Sequence, residues 1–385
     1  MIILGIHDGH NSGATIVKDG KILASVLEER LTRKKNESGF PKKSITACLK
    51  ICEIKKKDLD KVVYASNFMH EAKYLKNPLG WYKVGIKEQL EEAKKPKLNE
   101  KIIFNKRKKE RIYEVEKLLG ISKNDIEFLD HHLCHVAASY YCSEFPKNKK
   151  ILAISSDGSG DNLSGSVYIC QNNNLSRIAF TNRLASLGKI YSRVTAFLGF
   201  KPWEHEYKIM GMAPYANSKI SISLKEKVFD KLIAVNKDSL KLVLKTKLSM
   251  NYCYKYLAEN LQGERIDNIS GALQLFTEEI LHKLVDSAVK KTKISTVLLS
   301  GGVFMNVKAN HVISKNKKIK KLFVMPSCGD ESLSIGAALH SYYQKTLSTK
   351  FTNSALKNLY LGTDFKKDSE LNELKKIKGS RKFKI

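Results

Sequence analysis

A strand–turn–strand pattern occurs twice in this chain, and that repetition narrows its fold to a duplicated α/β arrangement. Ile3-Leu4-Gly5-Ile6 leads into His7-Asp8-Gly9-His10-Asn11-Ser12-Gly13 and leaves through Ala14-Thr15-Ile16-Val17. Ile151-Leu152-Ala153-Ile154 leads into Ser155-Ser156-Asp157-Gly158-Ser159-Gly160-Asp161 and, after Asn162-Leu163-Ser164-Gly165, leaves through Ser166-Val167-Tyr168-Ile169. Apolar, β-branched runs bounded by Gly, Asp and Ser read as paired strands. In the first copy Lys18-Asp19-Gly20-Lys21 adds a further tight turn into Ile22-Leu23-Ala24-Ser25-Val26. Either copy alone is an ordinary hairpin; the two together predict two lobes. A Gly/Ser-rich turn with free backbone N–H groups can also hold a phosphate between lobes, which makes Gly160 a candidate.

A third glycine element follows the buried-strand pattern Ser295-Thr296-Val297-Leu298-Leu299. It reads Ser300-Gly301-Gly302-Val303-Phe304-Met305-Asn306. Paired glycines after a strand let backbone approach a ligand closely, and the next helix would aim its N-terminus at a phosphate or nucleotide. Gly301, Gly302, Val303 and Asn306 are therefore nucleotide-site candidates. Leu322-Phe323-Val324-Met325 then ends in Pro326-Ser327-Cys328-Gly329-Asp330-Glu331-Ser332. Ligands in open α/β sheets bind at the carboxyl ends of strands, where Asp330 would lie. The stripe Leu273, Phe276, Ile280, Leu284 predicts a core helix from about Ile266 to Lys290.

The clearest chemistry lies in Asp130-His131-His132-Leu133-Cys134-His135. On a helix, His131 and His135 share one face and can hold one ion together, while His132 points elsewhere. Asp157 and Asp330 each sit in a Gly-containing stretch after an apolar run. Two imidazoles and two carboxylates suit Fe(II), Mn(II) or Zn(II). A helical His pair that only packs is the plain alternative; the two strand-end aspartates favour the metal. Asp157 has a second option, contact with phosphate through water.

Composition excludes several classes. A chain of 385 residues, 42% hydrophobic and 28% charged, is that of an ordinary globular protein with two lobes. No apolar run approaches the ~20 residues that cross a bilayer, so no membrane association is expected. The start, Met1-Ile2-Ile3-Leu4-Gly5, lacks a basic leader, and the seven scattered cysteines suit a reducing compartment, so we expect a cytoplasmic protein. The net charge of +29 comes mostly from lysines spread over Lys55–Lys57, Lys94–Lys97, Lys106–Lys109, Lys147–Lys150 and Lys315–Lys321, without interleaved aromatics. They read as solvated faces rather than a nucleic-acid platform, although a nucleic-acid partner stays open. Residues from about 67 to 109 are rich in Lys and Glu and read as a mobile or helical excursion, and the basic tail beyond Thr363, ending in Lys375 to Lys384, should fray.

In order along the chain, several segments resemble one family. They are Gly5-Ile6-His7-Asp8-Gly9-His10-Asn11-Ser12; Glu28-Glu29-Arg30-Leu31-Thr32-Arg33-Lys34-Lys35 with Gly39-Phe40-Pro41; and His131-His132-Leu133-Cys134-His135. Gly188-Lys189-Ile190-Tyr191-Ser192, Leu198-Gly199-Phe200, Glu206-Tyr207-Lys208-Ile209-Met210-Gly211, Ser300-Gly301-Gly302-Val303 with Asn306, and Gly329-Asp330 follow. The chain resembles the N-terminal, tRNA-threonylcarbamoyladenosine-metalloprotein-like domain of the NodU/CmcH O-carbamoyltransferases, from residue 1 to about 365.

The resemblance implies a duplicated two-lobe actin/Hsp70/sugar-kinase-like (ASKHA) fold with a central cleft. Its first α/β lobe would span 1–150, its second 151–350, and a tail 351–385. It implies transfer of a carbamoyl group from carbamoyl adenylate, made with ATP, to a hydroxyl of a small molecule or sugar. His131, His135, Asp157 and Asp330 match the metal ligands, usually of iron; Mn or Zn also fits the set. His10 and Lys35 match residues near the carbamoyl group. His10 suits a general base for the attacking hydroxyl and Lys35 a balancing charge. A hairpin-capping His10 and a merely solvated Lys35 are the simpler readings. Glu206 and Lys208 could bind substrate or pair with each other. Family members continue, after the point matching Leu359-Tyr360-Leu361-Gly362, into a YrdC-like domain that makes carbamoyl adenylate; this chain ends at Ile385. The donor would then come from a separate YrdC-like protein in trans, or the sequence is a fragment, or its branch uses another donor. Two other classes remain: an ATP-hydrolysing or sugar-phosphorylating relative, which the His pair disfavours, and a nucleic-acid-directed carbamoyl or threonylcarbamoyl transferase.

Overall fold

The computed structural model describes residues 1–67, 100–347, 355–363 and Lys376. Its centre is a pair of five-stranded sheets with the same plan. The first contains β1 (Ile2–His7), β2 (Gly13–Lys18), β3 (Lys21–Leu27), β4 (Lys61–Tyr64) and β5 (Ile126–Phe128), in the order β3-β2-β1-β4-β5. The second contains β6 (Ile151–Gly160), β7 (Leu163–Gln171) and β8 (Asn174–Asn182). A separate hairpin of β9 (Ile233–Asn236) and β10 (Lys241–Leu244) intervenes before β11 (Thr296–Ser300) and β12 (Lys321–Val324) complete it as β8-β7-β6-β11-β12. In each sheet the first three strands are antiparallel and the last two run parallel to the first. Ile3 and Ile151 therefore lie in equivalent central strands, and the duplication expected from the two hairpins holds.

The helices explain why the lobes pack so closely. The first half carries α1 (Glu28–Thr32), α2 (Lys42–Ile51), α3 (Glu100–Leu119) and α4 (His131–Cys142). The second carries α5 (Leu187–Phe197), α6 (Glu206–Met212), α7 (Ser218–Lys227), α8 (Tyr254–Leu261), α9 (Ile266–Thr292), α10 (Val307–Ser314) and α11 (Leu333–Thr346). α4 packs on β6 and β11 of the second sheet, α11 packs on β1 and β2 of the first, and the two helices pack on each other. Contact this close needs bare backbone. A Cβ on Gly336 would lie 1.9 Å from the Cys134 carbonyl oxygen, and one on Gly5 would lie 2.0 Å from the Ser334 carbonyl oxygen.

Alternation along β1 divides its side chains between two cores. Leu4 and Ile6 face one built with Ile16, Ile45, Val62 and Val115, whereas Ile3 joins the larger core that runs through α4, α11 and the second sheet. α9 covers the predicted core stripe, and Leu273, Phe276, Ile280 and Leu284 are all buried.

One expectation needs correction. The second hairpin has no long Gly/Ser turn: β6 continues through Gly160, and only Asp161 and Asn162, at φ of 46° and 65°, make the turn. Positive φ at both central residues matches the right-handed strand twist. At the end of the lysine-rich segment the helical option holds: α3 runs from Glu100, and its Arg111, just beyond that segment, is fully buried. Residues 68–99 of that segment, and the basic tail apart from Lys376, lie outside the described residues. Among the described residues no helix is long and apolar enough to cross a membrane.

Candidate metal centre

α4 starts under the second sheet with two acidic caps. Asp130 Oδ1 accepts from the Leu133 N–H at 2.9 Å, and Asp161 Oδ2, from the tight β6–β7 turn, accepts from the N–H groups of His131 (2.8 Å) and Asn67 (2.9 Å). Both carboxylates satisfy amides that a helix start leaves unpaired. One helical turn then sets His131 and His135 side by side, with ring centroids 4.8 Å apart. His132 turns away, as its spacing requires, and its Nδ1 lies 2.9 Å from Ser155 Oγ.

Asp157 projects from β6, and its Oδ1 accepts from the Gly302 N–H at 3.0 Å. Asp330 stands in the short turn that opens α11. The four side chains are buried, and one ligand atom from each can be chosen so that all lie within 4.8 Å of one another. His131 Nε2 is 3.6 Å from Asp157 Oδ2 and 3.6 Å from Asp330 Oδ1, and His135 Nε2 is 3.4 Å from Asp330 Oδ1.

Those separations favour a shared cation over direct pairing. A charge-assisted N–H···O bond closes to about 2.7–2.9 Å. Ligands bound tetrahedrally at ~2.0–2.2 Å stand roughly 3.4 Å from each other. His131 Nε2, His135 Nε2 and Asp330 Oδ1 are buried without a hydrogen-bond partner, an expensive condition that a divalent ion relieves. The donor set fits such an ion: two neutral imidazoles and two carboxylates balance a 2+ charge. Burial alone would depress His131, but the charges of Asp330 and Asp157 overcome it and raise the imidazole to about 9. Burial likewise opposes ionisation of Asp330, yet His10 and His131 hold its carboxyl well below the usual range. His132, with burial and two neighbouring imidazoles against it, falls to about 3 and stays neutral.

Asp330 also faces the first lobe. Its Oδ2 lies 3.2 Å from His10 Nδ1 and 3.5 Å from His7 Nε2. His10 is 39% exposed and stacks on Trp203, at 5.8 Å between centroids and 28° between planes. Lys35 is 60% exposed and held by both Glu29 oxygens, at 3.1 and 3.2 Å. Beneath this edge Arg111 grips Asp8 through two hydrogen bonds of 2.8 and 2.7 Å.

The nucleotide-site candidates make close contacts within the protein. The space beside Gly160 is filled by the His131 ring, 2.2 Å from where a Cβ would stand, and Gly301, at φ 92°, backs onto Ser156 of β6. Val303 meets Gly188, while Asn306 caps α10 and exchanges hydrogen bonds with Gln274. Glu206 does not pair with Lys208: its Oε1 accepts from the Trp203 N–H at 2.7 Å, and Lys208 lies against the Phe200 and Tyr207 rings. Sequence reasoning missed His7, Asp161, Trp203, Lys189 and the Asp8–Arg111 pair. His7 had a signal, three residues before His10 at the end of the strand that leads into its turn; the others are joined only by tertiary contacts.

The sequence model of the carbamoyltransferase N-terminus matches residues 2–339. The Synechocystis protein sll1178 is 28% identical over 92% of this chain and 59% of its own length. The nodulation protein NolNO of Sinorhizobium fredii is 25% identical over 94% of this chain and 50% of its own. The chain thus spans little more than half the length of these curated relatives. The Acidaminococcus fermentans (R)-2-hydroxyglutaryl-CoA dehydratase component A superposes with a TM-score of 0.48 at 14% identity, over 90% of this chain and 99% of that one.

Proposed function

The chain belongs to the carbamoyltransferase N-terminus family, and from that premise we propose that it transfers a carbamoyl group from carbamoyl adenylate to a hydroxyl acceptor, a small molecule or sugar. The observation that carries this reading is the buried group His131, His135, Asp157 and Asp330, with His10 3.2 Å from the outer oxygen of Asp330. We take the lobes as 1–150 and 151–350, since α4 ends at Cys142 and β6 begins at Ile151. Fe(II) is the ion we assign to the four ligands, with Mn and Zn compatible. Bound there, it would polarise the carbamoyl group and fix its orientation.

His10 does the proton work. Its Nδ1 lies 3.2 Å from Asp330 Oδ2, and in this reading its Nε2 takes the proton of the acceptor hydroxyl. The hydroxyl oxygen bonds to the carbamoyl carbon, the bond from that carbon to the phosphate oxygen breaks, and AMP leaves with the electron pair. Lys35, at the exposed edge, balances the charge that develops on the phosphate. Gly160, Gly301, Gly302, Val303 and Asn306 shape the wall against which the nucleotide lies. We assign the supply of carbamoyl adenylate to a YrdC-like domain or protein.

The test supplies metal-loaded protein with carbamoyl phosphate and ATP, then adds a YrdC-like protein or synthetic carbamoyl adenylate, and follows AMP and carbamoylated product. Turnover should need the adenylate or its maker. Efficient transfer from carbamoyl phosphate without ATP overturns the reading. So does tight, salt-sensitive nucleic-acid binding with no carbamoyl product from any donor.

A further inference from the structure

His10 reaches Asp330 from the first lobe, and the aromatic ring that holds it comes from the second. Trp203 stands at φ 68°, a strained conformation that bulky residues rarely adopt and that persists only where the surroundings enforce it. They do. The Trp203 N–H donates to Glu206 Oε1, and its carbonyl accepts from Asn36 Nδ2 at 3.2 Å. Asn36 also donates to Glu204 Oε1 at 3.2 Å, and its own N–H donates to Glu29 Oε2, the carboxylate that holds Lys35. One chain of contacts thus runs from the Lys35 loop across the cleft to Trp203 and back through the stacked rings to His10. Lys189 Nζ lies 5.6 Å from the same indole centroid.

We infer that Trp203 is a positioning residue for His10: its strained, cross-lobe placement holds the imidazole against Asp330 and makes proton transfer depend on contact between the lobes. This rests on the carbamoyl-transfer reading, in which His10 is the base. The indole touches no reacting atom; it removes the rotamers in which His10 would swing into solvent. A simple hydrophobic cover would not need a left-handed backbone pinned at both its N–H and its carbonyl.

The test uses metal-loaded full chain with synthetic carbamoyl adenylate and AMP release as the readout, water or glycerol serving as the hydroxyl. Trp203→Ala should lower kcat about tenfold, with KM for the adenylate and bound metal little changed, and Trp203→Phe should restore most of the rate. In the double variant with His10→Ala, Trp203→Ala should add nothing, because both act through one group. Histidine NMR gives a reading independent of activity: the His10 ring signals should lose their ring-current shift in Trp203→Leu. Additive losses overturn the inference. A raised KM for glycerol at unchanged kcat does the same, since it makes Trp203 an acceptor platform. If His10→Ala leaves AMP release unchanged, the His10 assignment itself fails, and the inference falls with it even where the NMR shift behaves as expected.

Discussion

The two central hairpins share one plan and diverge in chemistry. In the first, β1 and β2 end at the His7–Gly13 pair and leave residues 8–12 as an open turn. That turn carries His10, 39% exposed and able to meet an acceptor. In the second, the strands extend to Gly160 and Leu163, and only Asp161 and Asn162 turn. This longer hairpin buries Asp157 against Gly302 and sends Asp161 into the start of α4. The comparison teaches how one duplicated unit can divide labour: the longer turn presents a half-exposed histidine, and the shorter one leaves a buried carboxylate in the strand before it.

The comparison is tested most severely at the ligand group that Asp157 of the second hairpin completes. His131→Ala with His135→Ala should bring bound iron, manganese and zinc to background, measured by elemental analysis, and should abolish AMP release. Unchanged metal content in a folded variant would remove the metal centre. At the open half, His10→Ala should slow transfer by about 10²–10⁴-fold while metal content stays near wild type. Loss of metal together with rate would erase the division between the two hairpins.

Smaller effects probe what supports each hairpin. Arg111→Met strands the buried Asp8 carboxylate under the first turn and should cost about 3–5 kcal/mol in denaturant unfolding, with much of the loss recovered by adding Asp8→Asn. Burial pushes the Asp8 carboxyl up, but Arg111 outweighs it and lowers the group. A lowered native carboxylate stabilises above its ordinary titration range, so this contribution should fade as acid protonates Asp8 and be missing from the double variant. Asp161→Ala removes the acceptor shared by His131 and Asn67. It should cost about 1 kcal/mol of stability and weaken metal binding roughly tenfold, with little change in the His10-dependent step.

Much of the frame was legible locally. Apolar, β-branched runs bounded by Gly, Asp and Ser placed β1, β2, β6, β7 and β11, the apolar stripe placed α9, and the spacing of His131 and His135 put both on one face of α4. The second turn was misread because Asp157-Gly158-Ser159-Gly160 has turn composition, although the strand runs on through an irregular register to the Gly160–Leu163 pair and the His131 ring packs over Gly160. Arg111, two residues beyond the basic run Lys106–Lys109, gave no signal of its own. Composition records a charge but not the buried carboxylate that compensates it.

What the amino-acid order determined by itself was periodic and short-range: which segments are strands or helices, which faces are apolar, and which side chains share a helical turn. Tertiary structure alone decided that Asp330 stands between His131 and His10, that Trp203 lies over His10, and that glycine lets α11 touch β1 and α4. The reason is physical. Backbone geometry fixes neighbours three or four residues apart, whereas contacts between distant segments depend on how two sheets and two crossed helices bury their surfaces together.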